Sequence, residues 1–494
     1  MIALNRSSDL CVVGAGLVGS LLSIYLAKRG FHVDLFERRP DMRLEKMSAG
    51  RSINLAVSTR GLRALRDVGL EAEILRQAIP MRGRMIHAKD GELNFQPYGR
   101  DDSEYINSIS RATLNKVLMS RAEETKLVDI YFNQRATGMD FEKNELYLED
   151  ATTAQYTTVS ASMVMSTDGS SSAVRDDMMK LSGYKCTEEE LNYGYKELVI
   201  PAGEGGSFRM EKNALHIWPR GTYMLIALPN FDGSYTCTLF LPLAGSPSFD
   251  SLKTPEDVLK FFNEQFSDAV PLITDLTETF FANPTGRMVT VKCAPWFLDE
   301  KALLLGDAAH AIVPFFGQGM NCGFEDLSVL SDCMDNHVKQ GGSLYINRRN
   351  VEAQHASRRT MEGTTAWAKI FAEFFHQRKQ NTDAIADMAV ENFIEMRDKV
   401  ADPKFQLEKA VEKILQREFP NEYVSRYSLV TFSTVPYSLA MRAGVATDEI
   451  LSEVCKNIDA ADKVDLKQAH KLIAQKLSPL LKDHEEELPV SSGR

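Results

Sequence analysis

The sequence predicts an α/β protein in which a Rossmann-like domain carries an inserted antiparallel β-sheet and is followed by a C-terminal helical region. Three observations predict this fold class. Residues 10–37 read as strand, glycine turn, helix and strand, residues 214–241 read as short strands between turns, and the composition after about residue 345 is helical and charged. The chain has 494 residues, which gives room for about three structural units.

The composition argues against several classes of protein. Hydrophobic residues make up 44% and charged residues 25% of the chain, as in ordinary globular proteins. The formal net charge of −11 argues against nucleic-acid binding, which needs a basic surface. There is no apolar run of about 18 residues and no signal-peptide pattern, so we expect no membrane anchor. The seven cysteines form no C-x-x-C pair, so we expect reduced thiols, no metal site and a cytoplasmic location.

The first element is a dinucleotide-binding unit at residues 10–37. A buried strand runs directly into Gly-x-Gly-x-x-Gly, a helix follows, and a second strand ends at an acid. Gly14 permits the tight turn, Gly16 lets the backbone approach a pyrophosphate, and Gly19 lets the helix pack closely on the strand. The helix N-terminus suits phosphates, and Glu37 is placed to bind the adenosine ribose. The unit alone leaves open whether the dinucleotide is FAD or NAD(P).

Two later segments add to this unit. Residues 163–175 read as a strand followed by Asp168-Gly169, and residues 302–321 read as a strand, Gly306-Asp307 and a second glycine turn before a helix. In this order the three motifs resemble the FAD-dependent aromatic hydroxylase family of single-component flavoprotein monooxygenases. The resemblance implies that Asp307 holds the ribityl chain of FAD. A reductase with two dinucleotide domains would need a second Gly-x-Gly-x-x-Gly unit, and none occurs downstream.

The middle and end of the chain supply a sheet and helices. The strands at 214–241 are separated by Pro219-Arg220-Gly221 and by a hairpin turn at 230–233, and their sheet can serve as a core, as a roof over a ligand, or as both. The segment 385–400 is amphipathic and includes Asn392. A buried amide needs a partner, so Asn392 is either a ligand contact or a helix-packing residue, and the sequence does not decide between them.

Several longer stretches resemble the family members that hydroxylate kynurenine. The resemblance covers about residues 10–445 and is carried by GRSINLAVSTRG (50–61), IPMRGRMIH (79–87), QPYGRDDSEYINSISR (96–111), NYGYKEL (192–198), NALHIWPRGTYMLIALPN (213–230), GDAAHAIVPFFGQGMNCGFED (306–326), ENFIEMRDKV (391–400) and RYSLVTFS (426–433). It implies the oxidation of L-kynurenine by O2 and NADPH to 3-hydroxykynurenine, through a flavin C4a-hydroperoxide. This reaction belongs to tryptophan catabolism, in the kynurenine pathway towards quinolinate and NAD synthesis.

The resemblance also implies roles for individual residues. Arg84 and Tyr98 are expected to bind the amino-acid carboxylate of the substrate. The remaining expected substrate contacts are Asn392, Tyr427, Leu215, Met224, Ile226, Leu228, Phe240, Pro314 and Phe315. Besides the three glycines, the expected FAD contacts are Val18, Glu37, Arg38, Arg39, Ala56, Arg111, Ala136, Ala173, Asp307, Met320 and Asn321.

The expected domains are discontinuous. Residues 1–75, 105–180 and 295–345 are expected to form the FAD-binding domain, residues 76–104 and 181–294 the β-sheet substrate domain, and residues 346–494 the C-terminal helical region. The helix that begins near Met320 and Asn321 would stabilise negative charge on the reduced flavin.

The resemblance implies that the flavin carries the chemistry, so no residue is expected to act as a catalytic acid or base. His310 and His216 are therefore interpreted as structural. Two alternatives stay open: a hydroxylase of another aromatic acid on the same scaffold, and a flavin-binding sensor without turnover.

Overall fold

The computed structural model describes residues 6–44, 54–99, 103–346, 365–398 and 402–489. The first residues of the stretch 50–61, residues 100–102 of the stretch 96–111 and the last two residues of the stretch 391–400 lie outside these described residues.

The first sheet contains the dinucleotide-binding unit. Within the described residues its strands are β1 (Arg6–Val13), β2 (Val33–Phe36), β8 (Val128–Tyr131), β9 (Gln134–Asp140), β10 (Glu145–Asp150), β11 (Tyr156–Ser166), β17 (Phe297–Leu298) and β18 (Ala302–Leu304). The central order is β17-β18-β11-β1-β2-β8, and β1 pairs in parallel with both β11 and β2. A hairpin of β9 and β10 continues antiparallel from β11. The predicted Rossmann-like fold class is confirmed.

The second sheet is largely antiparallel. In the described part of the chain it contains β5 (Gly83–His87), β6 (Leu93–Pro97), β12 (Lys185–Ile200), β13 (Ala214–Pro219), β14 (Met224–Pro229), β15 (Tyr235–Pro242) and β16 (Gly286–Ala294). Their order is β16-β12-β15-β14-β13-β5-β6, with β5 and β13 parallel. A small third sheet joins β3 (Asn54–Val57), β4 (Ile79–Met81) and β7 (Ile106–Ser110).

The helices cover both sheets and form the C-terminal region. Those before residue 300 are α1 (Leu17–Ala27), α2 (Thr59–Asp67), α3 (Glu71–Leu75), α4 (Arg111–Glu124), α5 (Ala173–Met178), α6 (Pro255–Gln265) and α7 (Leu276–Ala282). The later ones are α8 (Asp307–His310), α9 (Gly319–Lys339), α10 (Ala366–Asp398), α11 (Pro403–Glu418), α12 (Arg426–Thr431), α13 (Tyr437–Val454), α14 (Leu466–Leu472) and α15 (Ser478–Leu481).

Side-chain alternation explains why the second sheet has two different faces. On β14, Leu225 and Ala227 belong to the core beneath α6 and α7, while Met224, Ile226 and Leu228 belong to clusters on the other face. Successive residues of a strand point to opposite faces. The predicted hairpin turn before β15 is present, and the Gly233 N–H donates to the Asn230 carbonyl at 3.1 Å. The sheet therefore serves both as a core and as a wall.

The C-terminal helices have a core of their own that also touches α9. Its buried residues come mainly from α10, α11, α13 and α14, and they include Cys322 of α9. This arrangement brings α10 and α12 against the segment that precedes α9, where the predicted flavin and substrate residues occur.

Candidate active site

The three predicted flavin motifs converge at the carboxyl ends of β1, β11 and β18. A methyl group added at Gly14 would lie 2.8 Å from the Thr167 carbonyl oxygen, and one added at Gly323 would lie 2.8 Å from the Val18 side chain. Gly14 has a φ of +93°, which favours glycine. The family resemblance implies that the three motifs serve one FAD, and the structure brings the three motifs together.

The turn before α1 leaves open space beside Gly16, which a ligand can occupy because glycine has no side chain. A methyl group added at Gly16 meets nothing within 4 Å, whereas one at Gly19 would lie 2.0 Å from the Gly14 carbonyl oxygen. Gly16 directly precedes α1 and provides no side-chain cap, so the first N–H groups of the helix face this space. The residues present therefore fit a pyrophosphate, as FAD would supply.

Glu37 and Asn115 hold this turn. One Glu37 oxygen accepts the Ala15 N–H at 2.9 Å, and the other accepts from the Arg39 backbone N–H at 3.0 Å and its Nε at 2.7 Å. Asn115 donates to the Ala15 carbonyl at 3.0 Å, while its own Oδ1 is buried without a hydrogen-bond partner in the described part of the chain. The sequence interpretation missed Asn115, because nothing in α4 links it to the glycine motif.

The Asp168 motif is tied to the same turn. Thr167 Oγ1 donates to the carbonyl oxygens of Val13 and Gly14 at 2.8 and 2.9 Å. Asp168 accepts from Ser166 Oγ at 2.5 Å and from the Ala173 N–H at 3.1 Å. Burial raises the pKa of Asp168, and these hydrogen bonds act in the opposite direction.

Asp307 and the start of α9 form the third part of the cofactor side. Asp307 is exposed between the buried residues Gly306 and Ala308. α9 begins after Gln318 without a side-chain cap and without an acid in its first turn, so its positive end is not neutralised locally. Asn321 donates to the Ala56 carbonyl at 2.9 Å and accepts the Ser58 N–H at 3.0 Å, which places Ala56 beside the helix start as well.

The remaining predicted cofactor residues border these motifs. Arg38 is exposed after β2, and Arg111 is exposed at the start of α4. Ala136 lies on β9, which packs against α5. Met320 is partly buried in the first turn of α9. FAD contact by these four residues stays a prediction.

The predicted substrate residues lie on one face of the second sheet. Arg84 on β5 pairs with Leu215 on β13, and Met224 on β14 pairs with Phe240 on β15. Ile226 belongs to both apolar clusters on this face. The first cluster includes Met224, Phe240 and Phe315, and the second includes Leu228, Tyr98, Leu215 and Tyr427. The sheet thus presents a continuous apolar wall with Arg84 at one end.

Two tyrosine rings hold the Arg84 side chain. The guanidinium carbon lies 5.3 Å from the ring centre of Tyr98 and 5.1 Å from that of Tyr427, and the two rings are stacked 5.5 Å apart. No carboxylate among the described residues forms an ion pair with Arg84. A partly buried cation that faces aromatic rings alone can accept a ligand carboxylate with little competition.

The hydroxyl of Tyr98 is a second polar group near Arg84 that a ligand could contact. Its hydroxyl is buried and has no hydrogen-bond partner within the described ranges. Burial raises the pKa of Tyr98, while the nearby Arg84 lowers it. The hydroxyl therefore stays protonated at neutral pH and can donate a hydrogen bond to an acceptor near Arg84.

Asn392 and Phe315 close the wall from the helical side. Asn392 Nδ2 donates to the Phe315 carbonyl at 2.8 Å, so at least one donor of this amide serves packing between α10 and the turn Pro314–Phe316. The Phe315 ring lies 5.1 Å from Phe240 and stacks on Phe393 at 4.3 Å. Pro314 is exposed at the start of this turn.

The wall contains aromatic residues that the sequence interpretation missed. Tyr193 and Tyr195 on β12 belong to the cluster of Met224 and Phe240, and Phe316 stacks on Tyr427 at 6.0 Å. A methyl group added at Gly286 would lie 2.2 Å from the Tyr195 ring, so this glycine makes room for the ring. The alternation of Tyr193 and Tyr195 was the available signal in the sequence.

The two histidines differ in their surroundings. His216 lies on the sheet face opposite Arg84, where its Nδ1 is 2.9 Å from His87 Nε2, and burial lowers its pKa to about 4. His310 Nε2 is 2.6 Å from Asp326 Oδ2.

Within the described ranges there is no cluster of three metal-binding side chains, and none of the helices is long and apolar enough to cross a membrane.

Comparison with known proteins agrees with this geometry. A family model described as "FAD binding domain" matches residues 7–219 and 273–364. A kynurenine 3-monooxygenase of Myxococcus xanthus is 56% identical over 479 residues, covering 97% of each chain. A kynurenine 3-monooxygenase of Dictyostelium discoideum is 43% identical, covering 97% of this chain and 99% of the relative.

Solved structures share the fold at lower identity. The tetrameric form of 2-methyl-3-hydroxypyridine-5-carboxylic acid oxygenase superposes with a TM-score of 0.60 and 21% identity, covering 84% of this chain and 98% of that one. The p-nitrophenol 4-monooxygenase of Pseudomonas putida gives a TM-score of 0.59 and 17% identity, covering 91% of this chain and 98% of that one. These two likenesses establish the fold.

Proposed function

Because this chain belongs to the kynurenine 3-monooxygenase family of proteins with an FAD binding domain, we propose that it hydroxylates L-kynurenine to 3-hydroxykynurenine with O2 and NADPH. One oxygen atom enters the aromatic ring and the other leaves as water. The observation that carries the proposal is the apolar wall that ends at Arg84 and adjoins the three converging flavin motifs. The reaction places the protein in tryptophan catabolism.

The converging motifs would hold FAD. The turn at Gly14, Gly16 and Gly19 and the start of α1 would bind the pyrophosphate, and Asp307 would bind ribityl hydroxyls through its carboxylate oxygens. When bound, the flavin supplies the redox chemistry: it takes a hydride from NADPH and activates O2. The uncapped start of α9 favours negative charge at this point.

The substrate has a charged end and an aromatic end, and the wall matches both. Arg84 would bind the amino-acid carboxylate through two parallel hydrogen bonds, and Tyr98 would add a donor. The aromatic end would lie against Ile226, Met224 and Phe240, toward the turn that precedes α9. This orientation puts the ring on the cofactor side and the carboxylate away from it.

The apolar wall has two tasks besides binding. It must hold the reacting ring carbon in one place, because misplacement by about 1 Å costs roughly a hundredfold in rate. It must also exclude water, which would divert the reaction to peroxide. The aryl amino group of kynurenine already activates the neighbouring carbon, so the residues of this chain need not remove a proton before the attack. His216, on the far sheet face, is not needed for the reaction.

Product analysis tests the function. Purified holoenzyme should oxidise NADPH faster when L-kynurenine is added and should form 3-hydroxykynurenine in proportion to the O2 consumed. A panel of aryl acids without the amino-acid carboxylate serves as the control and should give little stimulation. Stimulated NADPH oxidation that yields only hydrogen peroxide, or equal turnover of another aromatic acid, would contradict the proposal. FAD binding without turnover of any aryl substrate would indicate a sensor instead.

The cytoplasm is the proposed location. The seven cysteines all lie among the described residues and form no disulfide bond, as is usual in a reducing compartment, and NADPH is a cytoplasmic cosubstrate. Cell fractionation tests this location, and recovery of the activity in a periplasmic or membrane fraction would contradict it.

A further inference from the structure

A buried charged network lies behind the Asp307 motif, outside the pocket. It consists of Arg60, His310, Glu325, Asp326 and Arg378, and we call it the charge network. Each of these side chains is buried, with residue exposures of 1% for Arg60, 2% for Arg378 and 0% for Asp326. The proposed reaction uses none of them directly.

Asp326 holds both ends of the short helix that presents Asp307. Its Oδ2 accepts the Gly306 N–H at 3.0 Å, directly before Asp307, and lies 2.6 Å from His310 Nε2 at the other end of α8. Asp307 is exposed between these two anchors. The position of the carboxylate that would bind the ribityl chain is therefore set by Asp326.

Arg378 connects Asp326 to the helical side of the pocket. Its Nε donates to Asp326 Oδ1 at 2.8 Å, one terminal nitrogen donates to Glu325 Oε2 at 2.5 Å, and the other donates to the Cys322 carbonyl at 3.1 Å. Arg378 lies on α10, the helix that also carries Asn392. One guanidinium thus fixes α10 on α9 at three points.

Arg60 extends the network to α12 and α13. It pairs with the other oxygen of Glu325 and donates to the Val430 carbonyl of α12 at 3.4 Å and to the Val435 carbonyl at 2.5 Å. Its guanidinium carbon lies 3.9 Å from the ring centre of Tyr437, whose hydroxyl donates to Gln318 Oε1 at 3.0 Å. Gln318 directly precedes α9. The network therefore reaches both the start of α9 and the segment that carries Tyr427.

A buried ion pair is an inefficient means of stabilisation, because the desolvation of the charges offsets their attraction. Replacement of a buried ion pair by apolar residues of similar volume is often neutral or stabilising. A charged network instead favours one arrangement of the helices, because each carboxylate oxygen must meet its own donor. In this network every oxygen of Glu325 and Asp326 has such a donor.

We propose that Asp326 and Arg378 are positioning residues that couple FAD binding at Asp307 to substrate binding at Asn392 and Tyr427. When substrate fixes α10 and α12, the network fixes α8, and FAD is held more tightly. By linkage, bound FAD increases the affinity for substrate by the same factor. This inference rests on the proposed function, because it takes L-kynurenine as the substrate.

The release of FAD from the holoenzyme tests the coupling. After dilution, flavin fluorescence reports the rate of release with and without saturating L-kynurenine. In the unaltered chain we expect kynurenine to slow release by about tenfold, within the usual range of linkage between sites. In Arg378→Gln the slowing should fall to about twofold or less. Arg378→Lys keeps the charge but loses the planar guanidinium and its several donors, so its slowing should be intermediate.

Lys379→Gln is the matched control. Lys379 is the next residue on α10 and pairs with Asp383 on the same helix, so this variant should keep the full kynurenine effect. A full effect in Arg378→Gln, or in Arg378→Lys if the first variant does not fold, would overturn the inference. The absence of any kynurenine effect in the unaltered chain would overturn it as well.

The two proposals can fail separately. A chain that turns over kynurenine but shows no linkage contradicts the coupling and leaves the proposed function intact. A chain that neither binds nor oxidises kynurenine contradicts the proposed function, and the coupling falls with it.

Discussion

Arg84 is partly buried and Arg378 is fully buried, yet the partners of their guanidinium groups are opposite in kind. Arg378 faces two carboxylates and a carbonyl. Arg84 faces two tyrosine rings, with no carboxylate paired to it among the described residues. A paired buried cation serves the fold, whereas one without a counter-charge costs desolvation energy that a ligand carboxylate would recover. The comparison therefore separates a structural arginine from a binding arginine by their partners alone.

The largest expected effect concerns stability at Arg378. Arg378→Met leaves Glu325 and Asp326 buried with fewer partners, and the loss of one member of a buried pair costs about 3–5 kcal/mol in the free energy of unfolding. Arg84→Met should change the same quantity by less than about 1 kcal/mol, because it removes no ion pair. Denaturant titration of the two holoenzymes side by side checks this. Equal destabilisation by both substitutions would contradict the distinction between a structural Arg378 and a ligand-binding Arg84.

The second effect concerns substrate affinity at Arg84. Loss of a charge-assisted hydrogen bond costs about 1.5–3 kcal/mol, or roughly one to two decades in affinity. Arg84→Met should raise the KM for L-kynurenine by that factor while the FAD content stays the same. Steady-state kinetics and the flavin absorbance of the purified variant measure both quantities. An unchanged KM would show that the carboxylate binds elsewhere.

The cofactor side has a corresponding test at Asp307. Asp307→Ala removes the carboxylate expected to bind ribityl hydroxyls and should weaken FAD binding by about tenfold or more. Asp335→Ala, at an exposed acid that pairs with Arg29, is the control and should retain its flavin. The ratio of flavin to protein after gel filtration reports the outcome. Full flavin content in Asp307→Ala would mean that this carboxylate does not hold the cofactor.

The charge network also predicts a pH dependence. Burial opposes the charge on His310, but Asp326 and Cys322 outweigh burial and raise its pKa to about 10. The Trp296 ring lies 5.0 Å from the His310 ring, and Arg378 pairs with the other oxygen of Asp326. A folded-state pKa above the unfolded value of about 6.5 means that this stabilisation is complete below about pH 6.5 and is lost as the pH rises to about 10. The Tm should fall by a few degrees over this range.

His310→Gln separates this titration from others. The glutamine amide can still donate to Asp326 but does not titrate, so the variant should show a flatter dependence of Tm on pH between 7 and 10. An identical pH profile in the two proteins would contradict a charged His310.

The smallest effect is expected at Tyr98. Its hydroxyl has no hydrogen-bond partner in the described part of the chain, so Tyr98→Phe should leave the free energy of unfolding unchanged or slightly higher. Because Arg84 would still pair with the substrate carboxylate, loss of the Tyr98 hydrogen bond alone should raise the KM for kynurenine by about three- to tenfold. Kinetics with thermal melts checks both. A loss of stability without a change in KM would make Tyr98 a structural residue.

The cofactor side could be predicted from the sequence because its signals are local. Gly14, Gly16 and Gly19 are required by one turn, and Glu37 follows within the same unit. The second strand predicted over residues 32–36 differs from the observed β2 by one residue, and the helix start predicted at Met320 and Asn321 lies within two residues of the observed start of α9. The contact of Asn115 with this turn could not be predicted, because it joins residues that are 100 positions apart.

The substrate side is assembled from distant segments. Arg84, Tyr98 and Tyr427 meet only when β5, β6 and α12 are in place, and no periodicity in the chain indicates this. Residue types alone do not distinguish Arg84 from an exposed arginine or Tyr98 from a turn residue, so only the family resemblance identifies them as substrate contacts. The charge network was missed for the same reason, since Arg60, Glu325 and Arg378 come from three separate helices.

The interaction between Arg84 and the substrate carboxylate is the central claim, and a cycle of substrate and residue changes tests it most directly. The values of kcat/KM for hydroxylation of L-kynurenine and of its decarboxylated amine are measured in the unaltered chain and in Arg84→Met. We predict that the unaltered chain prefers L-kynurenine by about one to two decades and that Arg84→Met loses this preference. A preference of the same size in both proteins would contradict the account.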